Sequence, residues 1–229
     1  YWGDTSNGGK EEPTENPNAS KPRYIWIDAA ANFPDFANSK ENIARDLALA
    51  KDAGFTDIVV DVRPTTGDVL FKTNIVDQVK FMYAWIGSNY TKVERTATWD
   101  YLQAFVDEAR KQGLRIHAAI NTFVGGNQID GGTGLLYRDQ SKAEWATQMN
   151  MQTGIVSVMN TSESTKFFNP AHPEVQTFLC DLLKDLASYD LDGIFLDRGR
   201  FLNLQTDFSE ESRKQFEEYM GGIRIQNYP

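Results

Sequence analysis

A chain of 229 residues, 41% hydrophobic and 12% aromatic, carries enough apolar material to bury the core of one domain. Its formal net charge of −9 argues against a nucleic-acid partner, because phosphate binding draws on clustered Lys and Arg. A single cysteine, Cys180, excludes an intramolecular disulfide and a cysteine zinc cluster, two histidines give no basis for a histidine metal site, and no apolar run is long enough to span a membrane.

Residues 1 to 22, rich in Gly, Asn, Pro, Thr and Glu, show no apolar periodicity and read as a flexible tether. The chain opens on Tyr1 rather than Met, which raises the expectation of an upstream export signal or lipid anchor that has been removed, and with it a periplasmic or cell-surface location. The globular part, 23 to 229, begins with a strand over Tyr24 to Asp28 in which Tyr24, Trp26 and Asp28 share a parity. A helix over Asn38 to Ala53 follows, capped by Asn38, with Ile43, Leu47 and Ala50 as its apolar stripe and Gly54 as its stop. The next strand, Asp57 to Arg63, sets Val59, Asp61 and Arg63 on one parity and ends at Pro64.

Residues 64 to 97 form a long, aromatic-rich connection without evident regular structure, of the kind that usually serves a site. A helix over Trp99 to Gln112, capped by Thr98, leads to the strand Arg115 to Asn121, where His117, Ala119 and Asn121 share a parity. The connection 122 to 170 contains the glycine-rich VGGNQIDGGTG, a short helix near Lys142 to Met149 and a hairpin strand near Ile155 to Met159. Those glycines do not lead into a helix as phosphate loops require, so neither a nucleotide nor any other cofactor is expected. A helix from Pro173 to about Ser188 contains Cys180, read as a buried small hydrophobe. The stretch YDLDGIFLDRGRF, Tyr189 to Phe201, then supplies a strand ending at Asp197, and a last helix runs from about Ser209 to Met220.

Four strand–helix units with right-handed crossovers make either half of a (β/α)8 TIM-type barrel or a small open doubly wound sheet. A whole barrel takes about 250 residues, so the chain reads as the first four βα units of something longer; were these residues the whole molecule, its open sheet edges would invite self-association. In such folds the chemistry sits at the C-terminal ends of the strands. Inward parity then collects Asp28, Asp61 with Arg63, His117 with Asn121, and Asp197 at one mouth.

The segments RYIWIDAA, FTDIVVDVRPTTGDVLF, GLRIHAAINTF and FFNPAHPEV leading into LDGIFLDRGRF resemble a family of glycosyl-hydrolase-like bacterial proteins distantly related to glycoside hydrolase family 10, many of them exported lipoproteins. The likeness runs from about Arg23 to Phe201. It implies a (β/α)8 barrel and hydrolysis of glycosidic bonds in an oligo- or polysaccharide, with cell-wall glycan strands among the substrates. The chain departs from the family pattern at Arg198, which follows Asp197 where a second acidic residue is common.

Glycoside hydrolysis needs one carboxylic acid to protonate the leaving oxygen and a second carboxylate as nucleophile or base. Asp197 is the candidate acid, its plainer alternative being a loop cap or a partner for Arg63 or Arg200; Asp61 is the candidate second carboxylate, unless a strand outside this chain supplies it. Arg63 would orient a carboxylate or a sugar hydroxyl, or pair with Asp61 or Asp28. Asn121 reads as a sugar contact, and His117, deeper in its strand, as either a contact or a satisfied core histidine. Asn169 either reaches the cleft or serves as a turn residue before Pro170, and His172 caps its helix. Asp28, Arg198 and Arg200 complete the substrate-binding set, and Trp85, Trp99, Tyr137 and Phe201 are candidate stacking platforms for sugar rings. Two further readings use the same cleft: glycan binding without turnover, and, less favoured for want of a lysine or phosphate loop, an isomerase or aldolase of sugar phosphates.

Overall fold

In the computed structural model, which describes residues 21 to 228, the elements run β1 (Tyr24–Ile27), α1 (Phe33–Phe36), α2 (Lys40–Asp52), β2 (Asp57–Arg63), β3 (Phe81–Ile86), β4 (Asn89–Glu94), α3 (Tyr101–Gln112) and β5 (Arg115–Asn121). They continue with β6 (Val124–Asn127), α4 (Leu135–Arg138), β7 (Gln148–Met151), β8 (Gly154–Ser157), β9 (Thr165–Phe167), α5 (Pro173–Leu186), β10 (Gly193–Asp197) and α6 (Glu210–Tyr219). The tether expected over 1 to 22 falls outside the described residues, apart from its last two.

β1, β2, β5 and β10 pair in that order, all parallel, into one sheet of an α/β fold, with β1 and β10 at its edges. One parity of these strands, including Ile27, Ile58, Val60, Ile116 and Ile120, joins a single core with the stripes of α2, α3 and α5. Each such side chain contributes about 1.5–3 kcal/mol through area removed from water. The other parity carries Tyr24, Trp26, Val59, Asp61, His117, Ala119, Phe195 and Asp197. In a flat sheet β1 and β10 would stand roughly 14 Å apart, three strand spacings. Instead the Trp26 and Phe195 rings meet edge to face at 5.6 Å, so the sheet curls around this second face.

Local details depart from the sequence reading in five places. Ser39, not Asn38, caps α2, its Oγ accepting from the Asn42 amide at 3.1 Å. Asn38 Oδ1 instead accepts from the amides of Thr96 and Ala97 at 2.8 and 3.0 Å and so anchors the loop before α3. Asp100, not Thr98, caps α3. The connection 64 to 97 holds an antiparallel hairpin, β3 with β4, closed by Gly87-Ser88 with Gly87 at φ 61°. In the second connection the expected short helix is a 3-10 turn over Gln140–Trp145, after which the backbone enters β7, paired with β8. Cys180 is exposed, because the buried stripe of α5 passes through Phe178, Leu179 and Leu182 and leaves position 180 on the outer side.

The bulge in β2 corrects the parity assigned to Arg63. Asp61 pairs with Ala119, but Arg63 pairs with the next residue, Ile120, so one extra residue turns Arg63 out of the inward row. Its side chain is fully buried, and its guanidinium donates to the backbone carbonyls of Asn121, Thr122 and Val124. Asn121 Nδ2 donates back to the Arg63 carbonyl at 2.9 Å. Burial lowers the Arg63 pKa to about 10, against the opposing charges of Asp68 and Asp61. Arg63→Met fills similar volume but strips three buried carbonyls of their donor, so urea unfolding should show a loss of about 3–5 kcal/mol, with Arg63→Lys recovering only part of it. An unchanged midpoint would show that the arginine does not staple these turns.

Candidate active site

The C-terminal ends of the four parallel strands surround a cleft of about 130 Å³ lined by Trp26, Asp28, Asp61, Asn121, Asp197 and Arg198, with Met82 of β3 on its rim. Each residue is placed by its strand. Asp28 follows β1 and is oriented by the Ala31 amide, which donates to Oδ1 at 2.7 Å. Asp197 ends β10, and the Arg198 amide donates to its Oδ1 at 2.8 Å, with Arg198 itself at φ 47° in the left-handed region. Asp61 sits at the floor, one residue before the bulge, and its Oδ1 accepts from the Arg63 amide at 3.2 Å.

The three carboxyls differ sharply in environment. Asp28 and Asp197 are exposed, whereas Asp61 is only 7% exposed. Burial raises the Asp61 pKa to about 7, and the negative charges of Asp28 and Asp197 push the same way, while the amides of Arg63 and Ala29 oppose them. A carboxyl that keeps its proton near neutrality can donate it to a leaving oxygen. Tyr101, the first residue of α3, feels the same charge: burial and then Asp61 raise its phenol well above the usual range, and its hydroxyl is buried without a hydrogen-bond partner. No sequence pattern singled out Tyr101, since its position reads as the first turn of a helix. Among the described residues no three of His, Cys, Asp and Glu stand close enough to hold a metal ion.

The structure brings Asp28, Asp61, Asn121, Asp197 and Arg198 together and leaves the other expected residues elsewhere. Arg63 lies behind the cleft floor, occupied with backbone carbonyls. His117 lies toward the opposite end of the sheet, its Nε2 2.8 Å from the buried Asp57 and its ring between Tyr24 and Phe195, which is the satisfied core arrangement. Asn169 is buried as a turn residue, Oδ1 accepting from the Ala171 amide at 2.9 Å and Nδ2 donating to Ser209 Oγ at 3.0 Å. Arg200 donates to the carbonyls of Phe201 and Leu202 and does not line the cleft. Of the aromatic candidates, Tyr137 packs its ring over Gly126 and Gly132, Trp99 borders a separate groove of about 820 Å³ that contains none of the three carboxyls, and Phe201 lies near α6. Trp85 stands at the tip of the β3–β4 hairpin.

The chain resembles known proteins in sequence and fold. The chain is 31% identical over 213 residues to an S-layer-related protein of Niallia circulans, a match covering 90% of this chain and 13% of that protein. It is 24% identical over 214 residues to the glycosyl hydrolase DigH of Escherichia coli K12, covering 84% of this chain and 45% of the relative, so it spans less than half the length of either. Its fold matches α-L-fucosidase isoenzyme 2 from Paenibacillus thiaminolyticus at a TM-score of 0.58 and 18% identity, over 91% of this chain and 27% of that one. The profile of the family described as glycosyl hydrolase-like 10 matches residues 21–222, and the chain belongs to that family.

Proposed function

We propose that the protein hydrolyses glycosidic bonds in a polysaccharide, using Asp61 and Asp197 across the cleft of a (β/α)8-type barrel to which this chain contributes four strands. The observation that carries the reading is the convergence of Asp28, Asp61 and Asp197 at the C-terminal ends of curled parallel strands, one of them buried and proton-retaining. Sequence alone nominated Asp197 as the acid. The burial of Asp61 favours the reverse assignment, with Asp61 protonating the leaving oxygen and Asp197, at the open side, acting as nucleophile or base. Asp28 and Asn121 border the position a sugar ring would take and suit contacts with its hydroxyls. The family and the glycosidase among its structural neighbours support this class of chemistry. A setting in the cell envelope, expected from export, accords with the relative named for the surface layer.

Asp197→Asn keeps the hydrogen bond from the Arg198 amide, so folding should be unaffected. Release of reducing ends from polysaccharide should fall by about 10²-fold or more. Undiminished cleavage would remove Asp197 from the mechanism, and binding by both proteins with cleavage by neither would favour a glycan-binding protein without turnover.

Asp61 also links stability to pH. Its raised pKa means that the folded state holds the proton more tightly than the unfolded chain, so this stabilisation is complete below about pH 3.8 and is lost as pH rises through about 7. Asp61→Asn removes that dependence. The variant should gain ~2–4 kcal/mol on wild type between pH 4 and pH 8 in chemical denaturation while losing cleavage. Parallel pH profiles for the two proteins would show that Asp61 ionises normally.

A further inference from the structure

The hairpin rising from the end of β2 has two unlike faces. Met82, Ala84 and Val93 turn toward the core. The opposite face presents Phe81, Tyr83 and Trp85 from β3 and Tyr90, Lys92 and, at its base, Glu94 from β4. The rings form a continuous row, with centroids 6.0 Å apart for Phe81–Tyr83, 5.3 Å for Tyr83–Tyr90 and 5.2 Å for Trp85–Tyr90. Trp85 is 68% exposed and Tyr90 56%. Adjacent exposed aromatic surface of this kind marks a binding site more often than chance exposure.

Asp130 pins the row from one side. Asp130, at φ 52° in the loop after β6, accepts from Tyr83 Oη at 2.8 Å and from Lys92 Nζ at 2.7 Å. This clamp sets the hairpin beside the loop and leaves between them a groove of about 350 Å³, lined by Tyr83 and Tyr90 on one side and by Thr65, Thr66, Asn127 and Gln128 on the other. The groove shares Ala30, Thr65 and Met82 with the carboxylate cleft, so the two adjoin.

We propose that this groove is a subsite for an uncharged polysaccharide chain, which runs from the carboxylate cleft along the hairpin to the Trp85–Tyr90 ring pair. The assignment rests on the hydrolase reading above and adds the class of substrate. Flat rings suit the C–H faces of pyranoses, and the amides and hydroxyls opposite suit their hydroxyl edges. No ionised side chain lines the groove, Lys92 and Asp130 neutralise each other at its border, and the net charge of −9 repels polyanions.

Affinity electrophoresis in native gels containing hydroxyethylcellulose, glycol chitin, xylan, galactomannan or polygalacturonate tests this directly. At least one neutral polymer should retard the wild type, and polygalacturonate should not. Replacing both exposed rings, Trp85→Ala with Tyr90→Ala, should weaken the retardation about tenfold without changing the thermal midpoint, while Tyr90→Phe, which keeps the ring, preserves it. Equal retardation of the double variant, retardation by polygalacturonate alone, or none by any neutral polymer overturns the subsite. Asp197→Asn separates the two readings: retardation kept with cleavage lost supports both, and retardation that ignores the rings while Asp197→Asn abolishes cleavage removes the subsite and leaves the hydrolase standing.

Discussion

One extra residue in β2 sets the geometry of the cleft floor. The bulge lets Asp61 stay in the inward row while Arg63, two positions later, turns behind the sheet and satisfies carbonyls of the turn that follows β5. The same peptide that begins this diversion, the Arg63 amide, hydrogen-bonds Asp61. Backbone position, burial of the acid and the course of the neighbouring strand end are therefore one structure, and none can change alone. A guanidinium suits this duty because its planar fork reaches several carbonyls at once, which an ammonium cannot.

The site is built against stability. Burying Asp61 between two other carboxyls gains nothing for folding at neutral pH, and a well-packed amide or apolar group there would be more favourable. Such strained electrostatics concentrate where chemistry needs a proton held near pH 7. The contrast with Asp57 is instructive. It is as buried as Asp61, but Arg115, Thr56 and His117 supply its partners, and it lies at the far end of the sheet. One carboxylate is a solved structural problem, and the other is left unsolved at the mouth.

Most of this was legible in the sequence because period-2 and period-3.6 patterns report directly on which side chains meet the core. β2, β5 and β10, the stripes of α2, α3 and α5, and the inward row of Asp28, Asp61, Asn121 and Asp197 follow from spacing alone. Arg63 did not, because parity counting assumes an unbroken ladder and a bulge leaves no composition signal at Val62. The caps slipped by one or two residues because Asn38 and Ser39, or Thr98 and Asp100, are equally able acceptors until tertiary partners claim one of each pair. The hairpin could have been found: FMYAWI and NYTKVE alternate on either side of Gly87-Ser88, a two-residue turn signal. Cys180 was misplaced because cysteine is commonly buried, yet the stripe through Leu179 and Leu182 already assigned position 180 to the outside.

The curl of the sheet has a further consequence for its edges. Tyr24, Trp26 and Phe195 meet across the inward face but remain partly open, and Leu196 on the outer face of β10 is about half exposed. A parallel strand with one unpaired edge and apolar residues on both faces is stable in water only when something continues the ladder or covers it. Within the described residues α6 does not do so: its N-cap Ser209 bonds Asn169, and Gln215 reaches the Ala171 carbonyl, which fixes the helix over the turn before α5. The edge of β10 is thus left facing outward beside Asp197, on the same side of the sheet as the carboxylate cleft.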